Sequence, residues 1–179
     1  MTLEEVKCKL YIALNQLLEN DLWLLHNNLN ERTIAHKLAE YLQQIFPDHH
    51  VDCEYNRDVE QNSGLKKVNI LKARYEDIKN IKVDGGSIDV SVFPDIVIHR
   101  RGSNKNNLLV IELKKSINKN IEACEFDKEK LRCFTDQSKR NTLKYNYGVF
   151  LILETQENMA TTENFINYEQ WFFAHNRKS

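Results

Sequence analysis

Two apolar stretches of this 179-residue chain carry ionisable groups where a buried strand has no use for them: Pro94-Asp95-Ile96-Val97-Ile98-His99-Arg100 and Leu108-Leu109-Val110-Ile111-Glu112-Leu113-Lys114. Strand side chains alternate between faces, so Asp95 shares a face with Val97 and His99, and Glu112 shares one with Val110 and Lys114. The midpoint between positions 95 and 112 falls between Ser103 and Asn104, inside the polar run from Arg101 to Asn107. A hairpin closed there sets Asp95 across from Glu112, with Cβ atoms roughly 5 Å apart. Two carboxylates that close raise one pKa unless a cation lies between them. Mg²⁺ meets that need, because it takes one or two carboxylates from a protein and leaves its other positions to water and phosphate. Lys114 would then stand beside a metal-bound water, where its ammonium either orients the hydroxide or offsets charge growing on the phosphorane. The chemistry these residues suit is phosphodiester hydrolysis.

The pair Pro94-Asp95 followed by Glu112-Leu113-Lys114 resembles the signature of the PD-(D/E)xK nuclease superfamily, which includes restriction-type endonucleases. The resemblance implies an α/β restriction-endonuclease-like core ordered αβββαβ, a four-stranded mixed sheet flanked by helices, with Asp95 and Glu112 on the second and third strands. It also implies Mg²⁺-dependent cleavage of nucleic acid, usually DNA, with Mn²⁺ as a substitute metal. It adds the Leu113 carbonyl as a further metal ligand and Glu31, on the first core helix, as a further acidic member of the catalytic group. The match covers about residues 30–155 and rests on few motif residues. Gln137 suggests the Gln-x-x-x-Tyr element of exonuclease-like branches, but position 141 is Asn141, so the chain departs from that pattern.

The elements that must hold these groups follow from periodicity. Leu3, Val6, Leu10, Leu14, Leu17, Leu18, Leu22 and Leu25 fall at helical spacing, in one helix or in two broken near Asn20-Asp21, as an N-terminal extension over residues 1–29. Its leucine face suits either the core or a second subunit, which makes a homodimer a reasonable expectation. A second helix runs from about Glu31 to Phe46 and is ended by Pro47. Asn28 and Glu31 have capping-box spacing, so a helix cap explains Glu31 as well as a metal site does. Val51 to Arg57 alternates as a first strand. Residues 60–86 fit no single period and read as a short helix plus a basic loop, with a turn at Asp84-Gly85-Gly86-Ser87. Ile121 to about Arg140 is expected as a helix with Asp127, Lys128, Lys130 and Arg132 outward. Tyr147 to Leu153 is a continuous apolar strand, parallel to the one bearing Glu112. A last amphipathic helix is expected from about Thr162 to Ala174, within a C-terminal segment 156–179.

Composition is that of one globular domain: 41% hydrophobic and 28% charged residues, with a formal net charge of −1. No apolar run approaches the ~20 residues of a membrane span. The acidic start Met1-Thr2-Leu3-Glu4-Glu5 is unlike a signal peptide. Cys8, Cys53, Cys124 and Cys133 lack zinc-site spacing and are expected as free thiols. A cytoplasmic protein without a membrane partner is the expectation. The near-neutral total does not mark a nucleic-acid binder, but between His99 and Lys119 bases outnumber acids. Arg57, Arg100, Arg101, Lys115, Lys128 and Lys130 are the candidate phosphate-binding residues, against the alternative that such lysines only solvate a helix or guard a strand edge. The other class of function is a nuclease-like module that grips nucleic acid or a protein without turnover.

Overall fold

The computed structural model describes residues 1–58, 64–79, 86–118, 120–138, 141–155 and 165–173. Helix α1 (Leu3–His26) starts at a capping box, in which the Thr2 hydroxyl accepts from Glu5 N and the Glu5 carboxylate accepts from Thr2 N. It leaves helical geometry only at Asp21, where the leucine spacing allowed a break. The chain turns at Asn28, which takes a positive φ of 52°, and enters helix α2 (Glu31–Ile45). Asn30 is the cap, accepting from Thr33 N at 2.8 Å. The Asn28–Glu31 capping box is therefore not formed, and Glu31 sits one residue inside the helix with its carboxylate free for other partners. The leucine face of α1 is buried against α2 and the sheet of the same chain.

Strand β1 (His50–Cys53) is shorter than its alternation predicts, because Glu54 takes a φ of 49° and turns the chain away. A two-stranded antiparallel unit follows, β2 (Lys67–Leu71) and β3 (Ser87–Ser91), joined through helix α3 (Lys72–Lys79). The expected short helix is present, but paired strands flank it where a basic loop was expected, and Lys66 is buried. Residues 60–63 and 80–85, the latter including the first half of the expected turn, lie outside the described residues.

Strands β4 (Ile96–His99), β5 (Leu109–Lys115), β6 (Tyr147–Leu153) and β7 (Ile166–Phe173) complete a mixed sheet in the order β1-β4-β5-β6-β7. Only β5 and β6 are parallel, connected through helix α4 (Ile121–Thr135). The hairpin register of Ile96 with Ile111, Val97 with Val110 and Ile98 with Leu109 is the one the sequence midpoint predicts. Gly102, at a φ of 79°, provides the left-handed turn in the connecting loop.

Alternation assigns the two faces. Ile96, Ile98, Leu109, Ile111 and Leu113 pack toward α1 and α2, while Val97 and Val110 pack with Phe150, Leu131 and Phe134 under α4. The chain is thus α/β with a mixed sheet flanked by helices, but the sheet has five strands, not four. The described part of the expected C-terminal helix is β7, antiparallel to β6. The β6 edge offers a row of unpaired backbone groups, and a segment rich in Ile, Tyr, Trp and Phe satisfies them as a strand. No helix among the described residues is long and apolar enough to cross a membrane.

At Gly148, in β6, an added Cβ would stand 3.2 Å from Leu131 and 3.3 Å from Thr135, both on α4. Gly148→Val should therefore push α4 off the sheet and cost about 1–3 kcal/mol. Urea unfolding measures this, and an unchanged midpoint would show that the α4 interface has slack.

Candidate functional site

The β4–β5 register, continued one residue past Ile96, brings Asp95 opposite Glu112. One step further, Pro94 falls opposite Leu113, and proline has no N–H to offer a strand ladder. The Leu113 carbonyl therefore has no ladder donor on this edge, while the Leu113 N–H donates to Asp95 Oδ2 at 2.7 Å. The N–H and C=O of one strand residue leave the same edge, so the Leu113 carbonyl opens beside Asp95. It accepts a 3.3 Å contact from Lys114 Nζ. Proline before aspartate thus breaks the ladder and exposes a carbonyl next to two carboxylates.

Glu112 and Lys114 project from the α4 face of β5 into a chain of alternating charge. Lys114 Nζ lies 3.4 Å from Glu31 Oε2 and 2.9 Å from Asp127 Oδ2. Asp127 Oδ1 is 2.7 Å from Lys130 Nζ, which stands 3.0 Å from Glu112 Oε1. Glu31 also accepts from Lys115 N and from Asn118 Nδ2. Three elements meet here: the start of α2, the end of β5 and the inner stripe of α4.

Glu112 is 1% exposed, and its Oε1 is a buried oxygen with no hydrogen-bond donor. The Lys130 ammonium approaches it as a charge without the alignment of a hydrogen bond. Burial pushes the Glu112 carboxyl well above the usual glutamate range; Lys130 opposes this, while Asp95 and Asp127 add to it. Asp95 is raised too, first by burial, with the Leu113 N–H and Lys114 working against it. For Lys114 burial disfavours the charge, but Asp127, Asp95 and Glu31 more than reverse that, leaving its pKa above the ordinary lysine value. Lys130 is raised in the same manner by Glu112 and Asp127 against burial.

Four carboxylates, Glu31, Asp95, Glu112 and Asp127, meet two ammonium groups at this place. With all of them ionised two negative charges are uncompensated, and either protons or a divalent cation must offset them. The oxygen donors at hand are Asp95, Glu112 and the Leu113 carbonyl, a hard set that suits Mg²⁺ with water completing its shell. No group of three or more His, Cys, Asp or Glu side chains arranged to hold a metal is found among the described residues. A site for magnesium does not require one.

Sequence periodicity placed Asp127 and Lys130 on the outside of their helix. Both are buried, on one stripe with Leu131 and Phe134. The readable signal was the apolar 131 and 134 positions, to which 127 and 130 are helical neighbours. Lys128 points elsewhere: it pairs with Glu125 at 2.9 Å and lies over the Phe150 and Tyr168 rings. Lys115, on the opposite face of β5, donates to the Asn28 and Leu29 carbonyls and ties down the α1–α2 turn. Arg100 and Arg101 stand at the other end of β4, about 16 Å along the strand from Asp95. Arg101 is held there by Asp52, which also bonds His99 Nε2 at 2.9 Å. His99 is a buried strand residue packed on Tyr55. Arg57 is exposed and forms an isolated bridge with Leu65. The structure therefore gathers Asp95, Glu112, Leu113, Lys114, Glu31 and Lys130, and leaves Arg57, Arg100, Arg101, Lys115 and Lys128 outside the cluster.

Compared with protein-family models, curated proteins and solved structures, the chain matches none.

Both raised carboxyl groups bind a proton more tightly folded than unfolded. Their contribution to stability should decline as pH rises from the unfolded carboxylate range of about 4 through the raised folded values, and level off above them. Glu112→Gln removes one such group and should flatten that decline. Urea midpoints between pH 4 and pH 8, without added metal, are the measurement; an equally steep fall in the variant would contradict the assignment.

Proposed function

We propose that the protein is a metal-dependent nuclease of the PD-(D/E)xK kind, hydrolysing phosphodiester bonds of nucleic acid, with DNA the first substrate to try and the cytoplasm as its place of action. The observation that carries this reading is the register that sets Asp95 opposite Glu112, with the Leu113 N–H on Asp95, lysine ammonium groups beside the carboxylates and two charges uncompensated. The order α2, β1, β4, β5, α4, β6 supports it as well, since with the β2–β3 unit set aside it reads αβββαβ.

In this reading Asp95, Glu112 and the Leu113 carbonyl would hold the cation. When bound, it would supply a water acidic enough to attack at neutral pH and would draw charge from the phosphate. Lys114 remains a cation at that pH, so it does not serve as the base. It orients the nucleophile and offsets negative charge as the phosphorane forms. Glu31, at the first turn of α2, fixes the Lys114 ammonium from the side opposite Asp127. Beside Glu31 lies an open groove of about 390 Å³, lined by Asn30, Glu31, Lys115, Ile117 and Asn118.

One observation favours a second reading. Glu112 is closed off by Lys130, and such a self-neutralised cluster also suits a module that holds nucleic acid or a protein without cleaving it. Labelled DNA and RNA incubated with Mg²⁺ or Mn²⁺, with EDTA as control, separates the two. Metal-dependent products are expected, and Asp95→Ala or Lys114→Ala should each lower the rate by about 10²-fold or more. Binding that persists in both variants, with no products from the wild type under any metal, would establish the module and overturn the nuclease.

A further inference from the structure

The Lys130 ammonium lies where a cation would have to meet Glu112. It is 3.0 Å from Glu112 Oε1, on the one buried oxygen of the cluster that lacks a donor, and 2.7 Å from Asp127 Oδ1. The two contacts differ in kind. Asp127 is three residues back on the same helix, so that pair survives any movement of the lysine tip relative to β5. The link to Glu112 crosses from α4 to the sheet and has charge without hydrogen-bond alignment. A magnesium ion on Glu112 needs an oxygen at roughly 2.0–2.1 Å and brings two positive charges of its own, so it and the ammonium cannot share that position.

We infer that Lys130 is a built-in counter-ion that occupies the cation position at Glu112 and must swing away, staying on Asp127, before a divalent metal can bind. This rests on the metal-site reading above and adds to it a regulatory element: the affinity for metal is set against an internal competitor. Without metal the lysine keeps a buried glutamate from standing unpaired, which would be strongly destabilising. With metal the released ammonium faces the space beside Lys114, where a phosphate would lie. The chain thus exchanges one cation for another and holds its site shut until the second is present.

Calorimetric titration of MnCl₂ into the wild type and Lys130→Gln, with Arg132→Gln as a control that removes an equal charge from the same helix, gives the first readout. Lys130→Gln should bind Mn²⁺ about tenfold tighter or more, the effect of losing one adjacent competing charge, while Arg132→Gln matches the wild type. The second readout uses wild-type protein alone: the ¹³Cε signal of Lys130 should shift during a Mg²⁺ titration with the same midpoint as the heat of Mg²⁺ binding to that protein. Equal Mn²⁺ affinity in all three proteins, or a Lys130 signal that stays fixed while metal binds, overturns the competitor and leaves the nuclease reading standing. Absence of Mn²⁺ binding in every protein overturns both. Should Lys130→Gln fail to fold, the wild-type titration decides.

Discussion

A carboxylate buried in the middle of a sheet is the constraint around which this chain is arranged. Glu112 sits between Ile111 and Leu113 on a central strand, with the side chain under α4 and 1% exposed. Removing an ionised carboxylate from water costs several kcal/mol even after relaxation, so the fold must either supply positive charge or let the group keep its proton. Both are visible. Lys130 and Lys114 come in from α4 and β5, and the Glu112 carboxyl is nonetheless pushed upward by its burial. Buried charge of this sort is a poor means of gaining stability, since apolar residues of similar size would serve as well or better.

The remaining geometry follows from a single break in a ladder. β4 begins at Ile96 because Pro94 cannot donate to the Leu113 carbonyl, and the side chain of the residue between them accepts the Leu113 N–H. Had β4 continued, Asp95 would point along an ordinary strand face and the Leu113 carbonyl would be paired. The motif therefore has a local mechanical cause that does not depend on any relative. Glu31, at the start of α2, reaches the end of β5 from the other side of the sheet.

Much of the frame was legible because it obeys local periodicity. The hairpin register came from the symmetry of two apolar runs about a polar turn, β6 from an uninterrupted apolar run, and α2 and α4 from stripes with recognisable ends. The misreadings share one cause, which is that tertiary contacts overrode a local rule. Asp127 and Lys130 were placed outward because charge ordinarily means exposure, but the neighbouring carboxylates made the inner face of α4 the favourable place for them. Phe165 to Phe173 has aromatics at spacings that suit a helix, and it became a strand because β6 had an open edge. The Asn28–Glu31 spacing suggested a cap, yet Asn30 was nearer the helix start. Arg100 and Arg101 are close to Asp95 in sequence, but an extended strand carries them to the far end of the sheet, where Asp52 takes up Arg101.

Whether Asp95 and Glu112 share one divalent ion is decided most directly by soaking crystals in Mn²⁺ and calculating an anomalous difference map. The expected result is a single strong peak within about 2.0–2.3 Å of oxygens from both carboxylates and from the Leu113 carbonyl. A map with no peak there at saturating Mn²⁺, or a peak bound by only one of the two side chains, would contradict the shared site.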